Sequence, residues 1–210
     1  QVRDAYLEED EETGRSILRR EINGVAAALA EVTGVEEYRV HFHKPPAVSF
    51  YRTWTDRAGD DLSGFRATVL EVSRTEEPLR AVELGRGGFV IRGIAPIFSS
   101  DEYLGSVEVY FQPTEIVPFL DSQLTTGIVL LVDRAAAEGL FFEEDLNEYF
   151  NGEIGDSLIS TVTADWIDPE STLNPELIDA ARSSGEVVFD STGSYFKAYV
   201  PIRDYSGEIS

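Results

Sequence analysis

The chain has 210 residues, of which 42% are hydrophobic, and it carries a formal net charge of −22. This composition is sufficient for a packed core, and so acidic a surface argues against nucleic acid or anionic lipid as a partner. The sequence contains no cysteine, which excludes disulfides, thiolate metal sites and thiol catalysis. Its longest apolar runs, 25–30 and 127–132, are far shorter than the ~18–20 residues that cross a bilayer.

Positive charge is concentrated in one part of the chain. Residues 39–92 contain nine Arg or Lys against seven Asp or Glu, a net charge of +2, so the remaining residues carry −24. A basic segment in an acidic protein favours a small anionic ligand. Pairing of these arginines with nearby carboxylates explains the same counts equally well.

The first 33 residues are predicted to form one long helix. Its acidic first dozen residues indicate a solvated start, and Gly34 is placed where a C-terminal cap is expected. Apolar residues recur at steps of three and four and form a seam on one face: Leu18, Ile22, Val25, Leu29 and Val32. Such a seam packs either on the chain's own sheet or on a second copy of the helix.

A short strand is predicted next, over residues 38–43. Alternation places two sets of side chains on opposite faces, Tyr38, Val40 and Phe42 on one, Arg39, His41 and His43 on the other. A loop through Trp54 and Gly59 is predicted to lead into a helix over 62–74, which Asp60 or Asp61 would cap. The apolar face of that helix is predicted to consist of Leu62, Phe65, Val69 and Val72.

The rest of the chain predicts two similar modules. Strands at 79–84, 89–98 and 106–111 form an antiparallel meander with a glycine-rich turn at 85–88. The second half predicts a strand at 127–133, a helix from 174 or 175 to 184, and strands at 186–190 and 195–202. Two segments echo each other at an offset of about 105 residues: Ala95-Pro96-Ile97 with Gly105-Ser106-Val107, and Val200-Pro201-Ile202 with Gly207-Glu208-Ile209.

Several phrases of the first half resemble a known family of sensors. HFHKPP, SFYRTW, GDDLSGFRATV, GRGGFVIRGIAPIF and YLGSVEV are similar to the membrane-distal module of double Cache type 3 domains of bacterial methyl-accepting chemotaxis receptors. The resemblance is specific across residues 38–111 and architectural elsewhere. It implies an α+β fold in which a long N-terminal helix precedes two PAS-like modules with antiparallel sheets.

The predicted domain boundaries follow from this resemblance. They are a helix over 1–35, a distal module over 36–112, a connector over 113–126 and a proximal module over 127–210 with a truncated last strand. The resemblance implies a periplasmic sensor in a homodimeric receptor of the inner membrane, with its transmembrane helices outside this sequence. The alternatives are the sensor of a histidine kinase or diguanylate cyclase with an amino-acid or amine ligand, and a free-standing periplasmic binding module.

The candidate ligand-binding residues are Arg52, Trp54, His41, His43 and Arg92. Arg52 offers a planar fork of donors to a carboxylate, and Trp54 adds an indole N–H and an apolar wall. In the amino-acid-binding branch of the wider family an Arg-x-Trp pair holds the ligand carboxylate, which the Arg52-Thr53-Trp54 spacing matches. That branch also holds the ligand ammonium with an aspartate on a later strand. No acid stands between Ile94 and Phe98 here, so the resemblance implies a small carboxylate such as acetate.

Each of these residues also has a purely structural interpretation. Arg52 can pair with Asp56 or Asp60 while Trp54 fills core, and Arg92 can pair with Glu83. Two histidines without a third ligand at a recognisable spacing give only a weak signal for a metal site, and half-buried histidines are more often satisfied by neighbours. No catalytic pattern stands out, so we expect neither enzymatic activity nor a cofactor.

Overall fold

The computed structural model describes residues 2–33, 38–85, 88–112, 126–140, 146–147, 149–205, 207 and 209. The helices are α1 Val2–Leu7, α2 Glu11–Thr33, α3 Ala67–Thr75, α4 Arg134–Leu140, α5 Pro169–Thr172 and α6 Pro175–Ser184. The strands are β1 Arg39–Lys44, β2 Val48–Arg52, β3 Leu79–Gly85, β4 Gly88–Ser99, β5 Glu102–Phe111, β6 Val129–Asp133, β7 Glu153–Ile154, β8 Ser157–Val162, β9 Val188–Asp190 and β10 Lys197–Tyr199. The fold is α+β with antiparallel strand pairs, as predicted. None of the described helices is long and apolar enough to cross a membrane.

Two compact units make up the structure. The first comprises Gln1–Ala81 and Ile91–Phe111, and the second comprises Val82–Val90 and Gln112–Ser210. The predicted domain boundaries stay a prediction. The helix cap at Gly34, residues 86 and 87 of the turn at 85–88, and all but the last residue of the connector at 113–126 lie outside the described residues.

A five-stranded sheet with the order β2-β1-β5-β4-β3 belongs to the first unit except for residues 82–90. One face of its central strands is apolar, and α1 and α2 pack on this face around Leu18, Phe42 and Phe50. The opposite face carries a second apolar cluster, in which Ile94 packs with Val69 and Val72 of α3 and with Ala47 and Leu62. Alternation along each strand therefore sends one set of side chains toward the N-terminal helices and the other set toward α3.

The N-terminal segment differs from the single helix predicted over 1–33. A new helix begins after Asp10, whose carboxylate accepts hydrogen bonds from Thr13 N (3.1 Å) and Thr13 Oγ1 (2.6 Å), as an N-cap does. The prediction of a solvated first dozen residues is also wrong for α1. Ala5 is buried, and the Tyr6 hydroxyl donates to the carbonyl of His43 at 3.1 Å. Asp10 therefore caps the start of a second helix, α2, and α1 is a separate short helix that packs on the sheet.

The predicted seam of α2 is confirmed only in its first half. Leu18 is fully buried and Ile22 packs on the core, but Val25 and Val32 are 54% and 85% exposed. The packed residue is instead Ala26, four residues after Ile22. One residue turns a helix by about 100°, so packing through Ala26 rotates Val25 away from the sheet.

The segment predicted as a loop after β1 contains a strand. β2 pairs antiparallel with β1, with His41 opposite Arg52. The following helix begins at Ala67 instead of residue 62, and its N-cap position is Arg66 instead of an aspartate. Phe65, predicted on the buried face, is 64% exposed because it lies in a turn before the helix, where helical spacing does not apply.

The second unit contains a three-stranded sheet, β6-β8-β7, and a two-stranded sheet, β10-β9. The predicted helix α6 is confirmed: the Asn174 side chain accepts from Glu176 N at 2.9 Å, and Gly185 ends the helix with φ 67°. The two strands predicted after it are confirmed over shorter spans as β9 and β10. Near the predicted truncated strand, the described residues Arg203 and Ile209 form an isolated bridge.

Candidate functional site

The polar face of the first unit's sheet brings the predicted histidines together. In the register between β1 and β5, His41 lies opposite Glu108 and His43 lies opposite Ser106. The two imidazole rings are 4.0 Å apart, and both are nearly inaccessible to solvent. The predicted shared face of these histidines is therefore observed.

Glu108 occupies the centre of this face and is 0% exposed. Its Oε1 accepts from Arg92 Nη1 at 2.6 Å, and its Oε2 accepts from Arg66 Nη2 at 2.5 Å. Burial by itself raises the pKa of Glu108, but the charges of Arg66 and Arg92 outweigh burial and bring this pKa below its usual value. Glu108 is therefore a buried carboxylate anion shared by two guanidinium groups. His41, His43, Arg66, Arg92 and Glu108 are named the Glu108 cluster below.

Each histidine uses one ring nitrogen for a serine and turns the other toward Glu108. His41 Nε2 shares a 2.9 Å hydrogen bond with Ser49 Oγ, and His43 Nδ1 shares one of 3.1 Å with Ser106 Oγ. The remaining nitrogens, His41 Nδ1 and His43 Nε2, lie 3.8 and 3.5 Å from Glu108 Oε2, too far for good hydrogen bonds. Burial, followed by the neighbouring His43 and arginines, lowers the pKa of His41 strongly. Burial also lowers the pKa of His43 to about 3, against the opposing charge of Glu108. Both imidazoles are neutral at pH 7.

These lowered pKa values predict a specific pH dependence of stability. Below about pH 6.5 a histidine of the unfolded chain binds a proton, whereas His43 stays neutral in the folded chain until about pH 3. The free energy of unfolding should therefore fall as the pH falls from 6.5 to 5, by about 1.4 kcal/mol per pH unit for each buried histidine. Urea unfolding at several pH values measures this slope.

A matched variant tests the source of that slope. The chain has two histidines, so His43→Gln should remove about half of the slope between pH 5 and 6.5, where carboxylates contribute little. An unchanged slope in His43→Gln would contradict a neutral, buried His43.

Arg52 and Trp54 adjoin the cluster, but Arg52 has protein partners. The Arg52 Nη1 donates to Asp60 Oδ2 at 2.9 Å and to the carbonyl of Arg57 at 2.8 Å. The structural interpretation of Arg52, pairing with Asp60, is thus observed. The half-buried Trp54 ring packs edge-on to His41, with centroids 5.7 Å apart, and to Tyr110 at 5.3 Å. Trp54 therefore forms an aromatic wall beside the cluster.

An open cleft of about 310 Å³ also lies beside Arg52. It is lined by Glu12, Arg15, Arg19, Tyr51, Arg52, Thr55, Asp56, Arg57 and Ala58. Arg15 and Arg19 already pair with Glu11, Glu12 and Asp56. Only 11% of the Arg52 side chain is exposed, and its charge contributes to the lowered pKa of both histidines. Arg52 therefore connects this solvent-facing cleft with the buried cluster.

Two residues of the cluster escaped the sequence interpretation, Arg66 and Glu108. Residues 94–98 contain no acid, as stated from the sequence, but Glu108 of β5 stands directly opposite Ile94 of β4. A signal for Glu108 was present in the alternation Ser106, Glu108, Tyr110 within residues 106–111, whose other residues are apolar. For Arg92, the structure shows Glu108 as a partner at 2.6 Å.

The cluster contains polar atoms that are buried without a complete set of partners. Among the described residues, atoms without a hydrogen bond include His43 Nε2, Arg66 Nε and Thr68 Oγ1. Such atoms are uncommon in native interiors and often mark a site that a bound molecule completes. The donors available here are suited to an anion.

The same residues include a group with the shape of a metal site. One ligand atom each from His41, His43 and Glu108 lies within 4.8 Å of the others, and the serines would orient the imidazoles as outer-shell partners. However, both oxygens of Glu108 already accept from guanidinium groups, whose positive charges oppose a cation at this point. The electrostatics thus favour an anion over a metal ion.

Comparison with known proteins agrees with this architecture. The family described as "Double sensory domain of two-component sensor kinase", double Cache type 3, matches residues 5–209. Among solved structures, the extracellular domain of a candidate histidine kinase, vpHK1S-Z8, is similar at 16% identity with a TM-score of 0.46, over 97% of this chain and 74% of that chain. No curated protein matches. Because the family pattern extends over nearly the whole sequence, the chain belongs to the double Cache type 3 family of sensory domains.

Proposed function

We propose that the chain is the extracytoplasmic sensory domain of a transmembrane receptor, and that its first unit binds a small carboxylate such as acetate. The observation that supports this most is the Glu108 cluster, where Arg66 and Arg92 share a single buried carboxylate. A buried region with surplus positive charge is stabilised by an anion that supplies charge-assisted hydrogen bonds. The ligand is bound and not transformed, so no enzymatic activity is proposed.

The residues around the cluster have distinct proposed roles. Arg52 offers its guanidinium to the ligand while it keeps Asp60 as its partner at 2.9 Å. Trp54 and Ile94 provide apolar surface for the short carbon chain, since Ile94 is buried and Trp54 half-buried on this face. The neutral histidines contribute donors without adding charge.

Two output domains are proposed for the receptor. The resemblance of the distal module points to a methyl-accepting chemotaxis receptor, whereas the family's own description names two-component sensor kinases, which supports a histidine kinase comparably. We propose a homodimeric receptor that contacts the membrane through helices outside this sequence. The domain that follows the second transmembrane helix in the full-length gene distinguishes the two outputs.

A thermal-shift screen tests ligand binding. We expect short-chain organic acids to raise the melting temperature by about 5–10 °C at a hundredfold excess over Kd, because a ligand specific for the folded state adds about 2.7 kcal/mol there. Arg52→Ala should abolish most of this rise. Arg20→Ala, which removes an exposed arginine of α2, serves as the control and should leave the rise unchanged.

The same screen tests a second candidate ligand. Glu108 provides the acid that an ammonium group would require, which favours an amino acid if an arginine moves off the carboxylate. Stabilisation by amino acids or amines, and by no plain carboxylate, would refute the carboxylate assignment.

A further inference from the structure

We infer that the Glu108 cluster selects ligands that carry a single negative charge and rejects dicarboxylates of the same length. This inference rests on the proposed function, because it specifies the class of carboxylate that the same site accepts. It is carried by the ionic contacts of Glu108 and by the composition of the surface around them.

The Glu108 cluster carries a net positive charge. Arg66 and Arg92 contribute two positive charges, Glu108 contributes one negative charge, and the distances of 2.5 and 2.6 Å place all three in one contact group. One carboxylate compensates one guanidinium, so the cluster keeps one positive charge. A ligand with one carboxylate brings the cluster to neutrality.

The two histidines do not alter the net charge of the cluster. His41 and His43 are 2% and 1% exposed, and each shares a hydrogen bond with a serine hydroxyl instead of an acid. Protonating either imidazole would place a further positive charge beside Arg66 and Arg92. Both stay neutral, and they can donate to a bound carboxylate without attracting a second one.

Among the described residues, only Arg66 and Arg92 bring a guanidinium into contact with Glu108. Arg52 is balanced by Asp60 at 2.9 Å. Arg39 lies over the Tyr110 ring at 5.7 Å, and the strand register places Tyr110 between Arg39 and Arg92. The other walls described around the cluster are aromatic or aliphatic: Trp54 and Tyr110 pack edge to face, and Ile94 is buried opposite Glu108. A second carboxylate on the ligand would therefore lie in a poorly solvated region without a counterion, which costs several kcal/mol.

Glu108 is consequently a specificity-determining residue. Its negative charge compensates one of the two guanidinium groups, which together would otherwise bind a dianion. Removing this charge while keeping the shape should change the preference of the site from monocarboxylates to dicarboxylates.

The experiment compares butyrate with succinate, which have equal chain lengths, by calorimetric titration of the intact domain at pH 7.5 and constant ionic strength. We expect butyrate to bind wild type at least about tenfold more tightly than succinate. In Glu108→Gln, which raises the cluster charge by one, succinate should bind more tightly than butyrate. Glu102→Gln makes the same change of net charge at an exposed position of the same strand and should keep the wild-type preference.

Two further results keep the inference testable if Glu108→Gln does not fold. The wild-type comparison needs no variant. Arg66→Gln, which brings the cluster charge to zero, should weaken butyrate binding at least about tenfold. Equal binding of butyrate and succinate by wild type, or an unchanged preference in folded Glu108→Gln, overturns the charge selection while carboxylate sensing stands. If no mono- or dicarboxylate binds wild type, the proposed function itself fails.

Discussion

Replacing Glu108 by alanine is expected to lower the free energy of unfolding by about 3–5 kcal/mol. The substitution leaves Arg66 and Arg92 facing each other without the carboxylate that now accepts from both. Arg92 is only 7% exposed, so water cannot replace the lost partner without opening the sheet's polar face. The loss of stability is large because a buried charge is left without a partner. This penalty exceeds the stability that the original ion pairs contributed.

Urea unfolding of Glu108→Ala and wild type at pH 7 measures this difference. Glu102→Ala is the matched control, because Glu102 begins the same strand and is exposed; we expect a change within about 0.5 kcal/mol. A loss below about 1 kcal/mol for Glu108→Ala would show that the two arginines reach solvent or other partners, and it would remove the basis for a buried charge cluster. Addition of a bound carboxylate should recover part of the lost stability.

Gly105→Ala is expected to lower the free energy of unfolding by about 3–5 kcal/mol. Gly105 has φ +153°, and a Cβ at this position would lie 2.0 Å from the carbonyl oxygen of His43 and 2.7 Å from Tyr6 Cε1. The first of these atoms belongs to the backbone of β1, so relief requires β1 and β5 to separate. The same carbonyl accepts from the Tyr6 hydroxyl, so α1 should loosen as well.

Gly93→Ala provides the comparison for this substitution. Gly93 lies on the neighbouring strand β4, and a Cβ there meets no atom within 4 Å. We expect its replacement to change stability by less than about 0.5 kcal/mol. Equal effects of the two substitutions would contradict the close approach of Gly105 to β1.

The predictions that came from local patterns were the ones that succeeded. Alternation in β1 placed His41 and His43 on one face, and the meander of β3, β4 and β5 followed from apolar segments separated by turn residues. Predictions from helical spacing were wrong where a turn interrupts the helix. Asp10 caps a second helix after α1, so the helix is not continuous. Phe65 lies in a turn before α3 although its spacing fits that helix.

The sequence likewise predicted only part of the candidate site. The sequence alone established a basic, aromatic segment within an acidic chain, and it identified the resemblance that named Arg52 and Trp54. It missed Arg66 and Glu108, which are 42 residues apart in sequence and 2.5 Å apart in the fold. Residues 94–98 of β4 contain no acid, and the acid on this face comes from the strand paired with β4.

Strand periodicity thus determined which side chains share a face, since alternation is a property of each strand alone. Strand register decided which of them meet, and register depends on how distant segments of the chain pair and pack. His43 therefore meets Ser106, and Glu108 meets Arg66 and Arg92, only in the folded sheet. The net charge of the buried cluster, on which the proposed choice of ligand depends, is a consequence of that pairing.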